Sequence, residues 1–240
     1  LLYNSNLNIH DYNNDLENKI NNIKGRGPET TKIIINYQLN LCFGFHRLAI
    51  NGLNSVSDQP LELKNCILIC NGEIYNFKEL YENEKFENKT DSDCEILIHM
   101  YKKYGIDETI KQIRGVFAFC LLDLEKKEVF VVRDPFGVRP LFIGYTIESE
   151  LFACSELKGI HDKCVYVKQF NPGTYLEYKN KDNSYSIRRL TSIMIEEGHA
   201  VAYFGGSKEE ITMKHMANRE KLLREGVVDQ AEYDRLMGEQ

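Results

Sequence analysis

The sequence predicts an α+β protein in which antiparallel sheets are built from hairpins and helices are inserted in blocks. Strand-like runs at 32–37 and 41–50 are separated by a short polar link, which is typical of a hairpin. The pattern contains no repeated strand–helix–strand units, which would indicate a parallel sheet. A hydrophobic content of 42% is sufficient for a substantial core.

Further strands are expected where apolar and β-branched residues cluster between turn signals. They cover residues 65–70, 116–123, 128–133, 141–145, 150–154 and 174–179. The strand at 65–70 is expected to stop at Asn71-Gly72, because this dipeptide is typical of tight turns.

Helical spacing of apolar residues predicts a helix at 13–23 and another at 93–104, and a short helix is expected to begin at Phe77. Ser92 precedes the 93–104 segment, and Glu95 follows three residues later. This order predicts a capping box, in which each side chain accepts a hydrogen bond from the other residue's backbone N–H.

The composition changes near Arg188. From Ser207 onward the chain is charged and predicts a helix to about residue 224 and a second at 229–237. We therefore expect one domain at 1–189 and a helical tail of uncertain origin at 190–240.

Composition also excludes several classes of protein. The net charge is −6 with no basic block, so a nucleic-acid platform is not expected. No apolar run approaches the roughly 18 residues of a membrane span, and the start does not resemble a signal peptide. The seven cysteines include no C-x-x-C pair and predict buried free thiols rather than a zinc site. A cytoplasmic protein is expected.

Three segments carry polar residues that suit ligand binding, each with a simpler alternative. Arg47, at the end of a strand, suits a substrate carboxylate or a surface salt bridge. Asn71 and Gly72 suit either a turn or an oxyanion hole, formed by the amide and a backbone N–H. Asp93 suits either the positive end of a helix or a substrate ammonium group.

A fourth segment, 132–141, contains Arg133, Asp134, Gly137 and two prolines between predicted strands. We expect a tight architectural turn there, with no catalytic role.

Taken in order, these segments resemble the class II glutamine amidotransferases and, within that class, the asparagine synthetases. The motifs are Arg26-Gly27-Pro28-Glu29, His46-Arg47-Leu48-Ala49-Ile50, Asn71-Gly72-Glu73-Ile74-Tyr75-Asn76, Ser92-Asp93-Cys94-Glu95, Gly115-Val116-Phe117-Ala118-Phe119, Arg133-Asp134-Pro135-Phe136-Gly137-Val138-Arg139-Pro140-Leu141, Ser155-Glu156-Leu157-Lys158-Gly159 and Pro172-Gly173-Thr174-Tyr175. The resemblance covers about residues 1–180, and Glu29 replaces the family's Asp.

The resemblance implies an Ntn-hydrolase fold, a four-layer αββα sandwich of two antiparallel sheets. It implies that an N-terminal cysteine attacks the glutamine side-chain amide, with its own α-amine as base. By resemblance, Asn71 and Gly72 hold the oxyanion, Arg47 holds the substrate α-carboxylate, and Glu73 and Asp93 hold its α-ammonium group. Ile50 is also implied as a glutamine-binding residue.

The sequence departs from the family at two places. It begins Leu1-Leu2-Tyr3, where the family has Cys-Gly-Ile, and Gly205-Gly206-Ser207 lacks the rest of the synthetase pyrophosphate loop. We therefore expect the printed chain to bind glutamine but to be inactive alone. We expect it to need no cofactor, because ATP and Mg²⁺ belong to the synthetase domain.

The expected partners are glutamine and a synthetase domain or subunit that receives ammonia, with neither nucleic acid nor membrane. A homodimer is left open. Two alternative functions also remain open: a catalytically inactive glutamine-binding regulatory module, and the glutaminase domain of another class II amidotransferase.

Overall fold

The computed structural model describes residues 2–4, 13–49, 52–148, 150–179 and 184–189. The strands are, in chain order, β1 Leu2–Asn4, β2 Thr30–Asn36, β3 Leu41–Arg47, β4 Leu61–Leu63, β5 Cys66–Ile74, β6 Gly115–Asp123, β7 Glu128–Arg133, β8 Phe142–Tyr145, β9 Leu151–Cys154, β10 Tyr166–Gln169, β11 Thr174–Lys179 and β12 Ser184–Arg189. The helices are α1 Asn13–Asn21, α2 Phe77–Glu84 and α3 Ile96–Gln112.

The strands form two six-stranded sheets whose inner faces share one hydrophobic core. The first sheet has the order β10-β8-β9-β1-β3-β2, and the second has the order β12-β11-β7-β6-β5-β4. Alternate residues of strands in both sheets meet in this core, among them Phe43 and Ile143 from the first sheet and Ile69 and Val131 from the second. Period-two alternation of side chains places the remaining strand residues on the outer faces.

Helices cover the outer face of each sheet. Ile20 of α1 packs with Cys42 and Phe152 of the first sheet. On the second sheet, Tyr101 of α3 lies 5.4 Å from Phe130, ring centroid to ring centroid. The layers are therefore helix, sheet, sheet and helix, which confirms the predicted four-layer αββα sandwich.

Most strand predictions are confirmed, with small shifts of their ends. β2 and β3 form the predicted antiparallel hairpin, and β11 covers 174–179 as expected. The strands β1, β4, β10 and β12 were not predicted. They have three to six residues, and β4, β10 and β12 lie at the edges of their sheets.

The prediction that a strand stops at Asn71-Gly72 is wrong. β5 continues through both residues to Ile74 and pairs with β6 along its whole length. A Cβ added at Gly72 would lie 2.7 Å from the Cα of Phe117. Glycine is therefore required here by the close approach of two strands rather than by a turn.

The helix predicted at 93–104 begins with one turn of 3-10 helix at Asp93–Glu95 and continues as α3. A break at Gly105, with φ of +80°, divides α3 next to the predicted end, and its second part reaches Gln112. The predicted capping box does not form, although Ser92 does act as an N-cap. Ser92 accepts from the N–H of Cys94 at 3.3 Å, but the N–H of Ser92 donates to Thr90 Oγ1 at 3.1 Å, not to Glu95.

The buried Glu95 carboxylate instead fastens the chain that leads into this helix. It accepts from the N–H groups of Lys89 at 2.7 Å and Thr90 at 2.5 Å. It also lies 2.9 Å from His99 Nε2, while His99 Nδ1 is 2.8 Å from Lys64 Nζ. Burial alone would raise the pKa of Glu95, but these hydrogen bonds favour the carboxylate and leave its pKa below the ordinary value.

The prediction of buried free thiols is confirmed, since all seven cysteines are free and Cys164 is the one that is not fully buried. Within the described residues, no helix is both long and apolar enough to cross a membrane. The chain divides by its contacts into the units Leu1–Arg188 and Arg189–Gln240. The helices predicted at 207–224 and 229–237 lie outside the described residues, and the domain boundary at 189 stays a prediction.

Replacing Gly115 with alanine is expected to lower the free energy of unfolding by about 2 kcal/mol, because overpacking strains a close-packed sheet. The new Cβ would lie closer than 3.0 Å to the Glu73 carbonyl oxygen. Urea denaturation measures the change. The matched control is Gly25→Ala, where nothing lies within 4 Å of the new Cβ. Equal stabilities for the two variants would contradict the close approach of β5 and β6.

Replacing Glu95 with glutamine is expected to destabilise the fold by roughly 1–3 kcal/mol at pH 7, because buried N–H groups lose a charged acceptor. A carboxyl whose folded pKa is lowered stabilises above its unfolded pKa of about 4.3, and this contribution is lost as pH falls through the folded pKa. The difference between wild type and variant should therefore shrink between pH 5 and pH 3. Exposed Glu82→Gln on α2 is the control, with no comparable trend.

Candidate functional site

A cavity of about 200 Å³ opens where β3 ends and β5 passes behind it. Its lining residues come from seven separate parts of the chain. They include Arg26, Gly44, Phe45, His46, Arg47, Ser57, Gln59, Cys70, Asn71, Gly72, Glu73, Ser92, Asp93, Cys94, Arg139 and Ser155. The cavity has the dimensions of a small polar molecule rather than of a macromolecular groove.

Five of the six predicted site residues line this cavity: Arg47, Asn71, Gly72, Glu73 and Asp93. The sixth, Ile50, lies outside the described residues. The fold therefore brings together side chains separated by as many as 46 positions, from Arg47 to Asp93. Their individual roles stay predictions.

Arg47 is buried and forms a salt bridge with the partly exposed Asp58, so the structure is compatible with both of its interpretations. Its Nη1 donates to the carbonyl of Asn54 at 3.1 Å and to the carboxylate of Asp58. Its Nη2 donates to the carbonyl of Gly52. These bonds to described residues use three of the five guanidinium donors. The Nε–H and the second Nη2–H form the edge that fits a carboxylate in bidentate fashion.

Asn71 brings a buried amide to the cavity. Its Nδ2 makes no hydrogen bond within the described part of the chain. Leaving a buried N–H₂ group without an acceptor is unfavourable by about 1–3 kcal/mol, so such groups are rare in a settled interior. An oxygen placed in the cavity would satisfy this donor, and the strand also brings Gly72 to the lining.

Two carboxylates complete the polar lining. Asp93 is buried, and its Oδ2 accepts from the N–H of Ile74 at 2.7 Å, which fixes it against the end of β5. Glu73, on β5 itself, lies 3.4 Å from Arg139, measured from Oε1 to Nη2. Asp93 also lies in the first turn of the 3-10 helix, where acidic residues are favoured, so the helix-end and cavity interpretations are compatible.

The segment 132–141 is an architectural turn, as predicted, with one exception. Asp134 accepts from the N–H groups of Phe136, Val138 and Arg139 at 3.0–3.1 Å. Buried Arg133 donates to the carbonyls of Gly137 at 2.8 Å and Arg139 at 2.9 Å. The exception is the Arg139 side chain, which lines the cavity.

Sequence reasoning missed further residues of the lining, among them Gln59 and Arg139. Gln59 pairs with the backbone of Cys70, donating to its carbonyl at 3.1 Å and accepting from its N–H at 2.5 Å. Nothing in the local sequence of Gln59 indicates this pairing, which depends on the fold. The sequence does show that Arg139 lies in a tight turn, between Gly137 and Pro140. It does not show that this turn directs the Arg139 side chain to the cavity.

Cys94, at the cavity, is a poor nucleophile. Hydrogen bonding to the Cys70 thiol and burial raise the pKa of Cys94. A thiol in this state carries almost no thiolate at neutral pH. Catalysis by Cys94 is therefore disfavoured on chemical grounds.

The direction of β1 bears on the cavity. β1 lies between β3 and β9, antiparallel to both, with Leu2 opposite Phe43 and Ala153. The same register carried upstream passes Phe45 and Ser155, which line the cavity, and then reaches Arg47. The amino end of β1 is thus directed at the site.

The chemistry of the lining suits a zwitterion with a polar tail. The Arg47 guanidinium can bind a carboxylate, and the acidic side chains can bind an ammonium group. The amide N–H₂ of Asn71 can donate to an oxygen of the ligand. Among the described residues, no group of three or more His, Cys, Asp or Glu side chains could hold a metal ion.

Comparison with protein families gives one match. The model of the glutamine amidotransferase domain matches residues 4–209. This range contains every cavity residue named above.

Among characterised proteins, the chain is similar to glutamine-hydrolysing asparagine synthetases. It is 44% identical over 164 residues to the enzyme of Mesocricetus auratus and 43% identical over 164 residues to that of Homo sapiens. Each alignment covers 64% of this chain and 29% of the relative. The chain thus corresponds to less than a third of the length of these relatives.

Among solved structures, the chain is similar to the glutamine phosphoribosylpyrophosphate amidotransferase of B. subtilis. The TM-score is 0.53 at 27% identity, over 63% of this chain and 35% of that one. The structure of an allosteric regulatory enzyme of purine biosynthesis has the same TM-score of 0.53 at 24% identity and shares the fold, with the same coverage. With the family match over residues 4–209, these findings establish that the chain belongs to the glutamine amidotransferase domain family.

Proposed function

We propose that this chain is the glutaminase domain of an asparagine synthetase, which releases ammonia from the side-chain amide of glutamine. The observation that carries the proposal is the meeting of Arg47, Asn71, Gly72, Glu73 and Asp93 in one small cavity. The 43–44% identity to asparagine synthetases favours that enzyme over other amidotransferases, since the B. subtilis structure is only 27% identical.

Recognition of glutamine begins at its α-carbon. The Arg47 guanidinium donates two hydrogen bonds to the α-carboxylate in a bidentate pair. The carboxylates of Glu73 and Asp93 receive the α-ammonium group. Asp58 holds the other side of Arg47, so the clamp is oriented before the substrate arrives and loses less freedom on binding.

Stabilisation of the transition state is assigned to β5. When a nucleophile adds to the amide carbon, negative charge develops on the amide oxygen. The unpaired Nδ2 of Asn71 and the N–H of Gly72 are the donors proposed to receive that charge. Sheet pairing with β6 fixes this segment, so the donors need little reorganisation during the reaction.

The nucleophile is proposed to be a cysteine carried on an upstream continuation of β1. Three to four residues added in the same register would bring it opposite Arg47. Its thiolate adds to the amide carbon, its α-amine carries the proton to the departing ammonia, and water then cleaves the thioester to give glutamate. The resemblance to class II amidotransferases supports this assignment, and the raised pKa of Cys94 disfavours the internal alternative.

The ammonia is proposed to pass to a synthetase domain or subunit that activates aspartate with ATP and Mg²⁺. Support comes from the names of the relatives, of which this chain spans 29%. The direct test is an assay of ammonia release from glutamine by the protein from its natural source, with an intact mass that identifies its first residue. A cysteine-led protein that releases no ammonia would leave an inactive glutamine-binding module as the better description.

The variant Arg47→Lys should weaken glutamine binding by roughly 10–100-fold, because an ammonium cannot replace the bidentate edge of a guanidinium. Calorimetric titration of the chain with glutamine gives the dissociation constant. Asp58→Asn is the control, since it keeps the guanidinium and loosens only its support. If Asp58→Asn has the larger effect, Arg47 serves the loop and not the substrate.

In the cysteine-led protein, Asn71→Ala should reduce kcat by roughly 10²–10³. The dissociation constant for glutamine should change little, because the proposed donor acts on charge that develops only in the transition state. Ammonia release under saturating glutamine gives kcat. If the variant has the kcat of the wild type, Asn71 does not stabilise the transition state and has only a structural role.

A further inference from the structure

The backbone around Arg139 is fixed without help from its side chain. Its N–H donates to Asp134 Oδ2 at 3.1 Å, and its carbonyl accepts from Arg133 Nε at 2.9 Å. Gly137, with φ of +64°, closes the turn in a conformation that other residues rarely adopt. The loop therefore holds the Cα of Arg139 at the cavity whatever occupies that side chain.

The Arg139 side chain adds little to the stability of this loop. Its Nε is buried, and the described part of the structure offers it no acceptor. Its ion pair, from Nη2 to Glu73 Oε1, is long at 3.4 Å and partly exposed to solvent. A buried donor without a partner opposes folding, so its retention at a cavity calls for a functional reason.

Glu73 is the group that gains from the ion pair. Its side chain is 34% exposed at the rim of the cavity, where a free carboxylate would sample several rotamers. The pair holds Oε1 and leaves Oε2 able to accept from a ligand, because a carboxylate offers about four acceptor sites. The carboxylate is thereby kept beside Asn71 and Asp93 in the lining.

We propose that Arg139 is a specificity-determining positioning residue of the glutamine pocket, which holds Glu73 so that the pocket selects ligands with an α-ammonium group. The inference rests on the proposed function, since it assumes glutamine as the ligand. Arg139 acts through Glu73 and does not itself bind the ammonium group, which it would repel. Arg139 therefore affects how strongly the pocket prefers ligands with an α-ammonium group. It should not change the affinity for ligands that lack this group.

The test compares two ligands by calorimetry on the full chain: L-glutamine, and glutaramate, which has hydrogen in place of the α-ammonium group. Wild type should bind glutamine at least tenfold more tightly, because glutaramate has no ammonium group for the carboxylates of Glu73 and Asp93 to bind. In Arg139→Met, the dissociation constant for glutamine should rise about fivefold while that for glutaramate stays constant. The ratio of the two constants therefore falls about fivefold.

Three controls separate positioning from a general loss of structure. Arg114→Met removes the same charge from an exposed residue that does not line the cavity, and should leave the ratio unchanged. Arg139→Lys keeps a cation and should restore part of the discrimination. In a Glu73→Gln background, Arg139→Met should have no further effect on the ratio, because its target carboxylate is gone.

Each other result overturns the inference. Equal weakening of both ligands would make Arg139 a structural or general electrostatic residue. Tighter glutamine binding in Arg139→Met would mean that Arg139 competes with the substrate for Glu73. An unchanged ratio with intact wild-type glutamine binding would refute the role of Arg139 alone, whereas a wild type that binds no glutamine would refute the proposed function itself.

Discussion

The close pairing of β5 with β6 is the constraint on which the site depends. At Gly72 and Gly115 an added Cβ would lie within 3.0 Å of the backbone of the opposite strand, so glycine is the residue that fits there. This contact carries β5 past Asn71 and up to Ile74, where the N–H of Ile74 meets Asp93. Without it, Asn71 and Glu73 would lie in a loop, and their positions relative to Arg47 would not be fixed.

Two of the charged groups of the site, Arg47 and Glu73, are each held by an ion pair with a neighbouring side chain. Arg47 is held by Asp58 on one side, and Glu73 is held by Arg139 on one side, so each keeps a free face towards the cavity. Glu95 fastens the chain just before Asp93 through the N–H groups of Lys89 and Thr90. A buried charge is tolerable only when it is paired and hydrogen-bonded, and this arrangement meets that requirement while leaving bonding capacity for a ligand.

The sequence predicts the architecture of the fold better than its local detail. The long strands and α3 have periodic apolar patterns that decide their type, and the motif order points to the family. Asn71-Gly72 was misjudged because local turn propensity competes with pairing to β6, which is decided by residues more than forty positions away. The same holds for Glu95, whose partners Lys89 and Thr90 lie in a loop that the capping-box pattern does not describe.

Candidate site residues were predictable where one residue type has a distinctive chemistry, as for Arg47, Asn71 and Asp93. Arg139 and Gln59 were not, because their position at the cavity depends on how a turn and a long loop fold back across the sheets. The local sequence gives the identity of such side chains, but the direction in which they point depends on the tertiary fold.

The state of the internal thiols has a practical consequence for labelling chemistry. Burial raises the pKa of Cys42 and Cys164 to about 11 and of Cys66 and Cys120 to about 12. Alkylating reagents attack thiolates, so at neutral pH these positions react slowly. A cysteine activated by its own α-amine would react faster than these buried thiols. Labelling with an electrophilic probe could therefore measure the fraction of protein that has an active nucleophile. The selectivity would come from the low reactivity of the buried thiols in the folded domain.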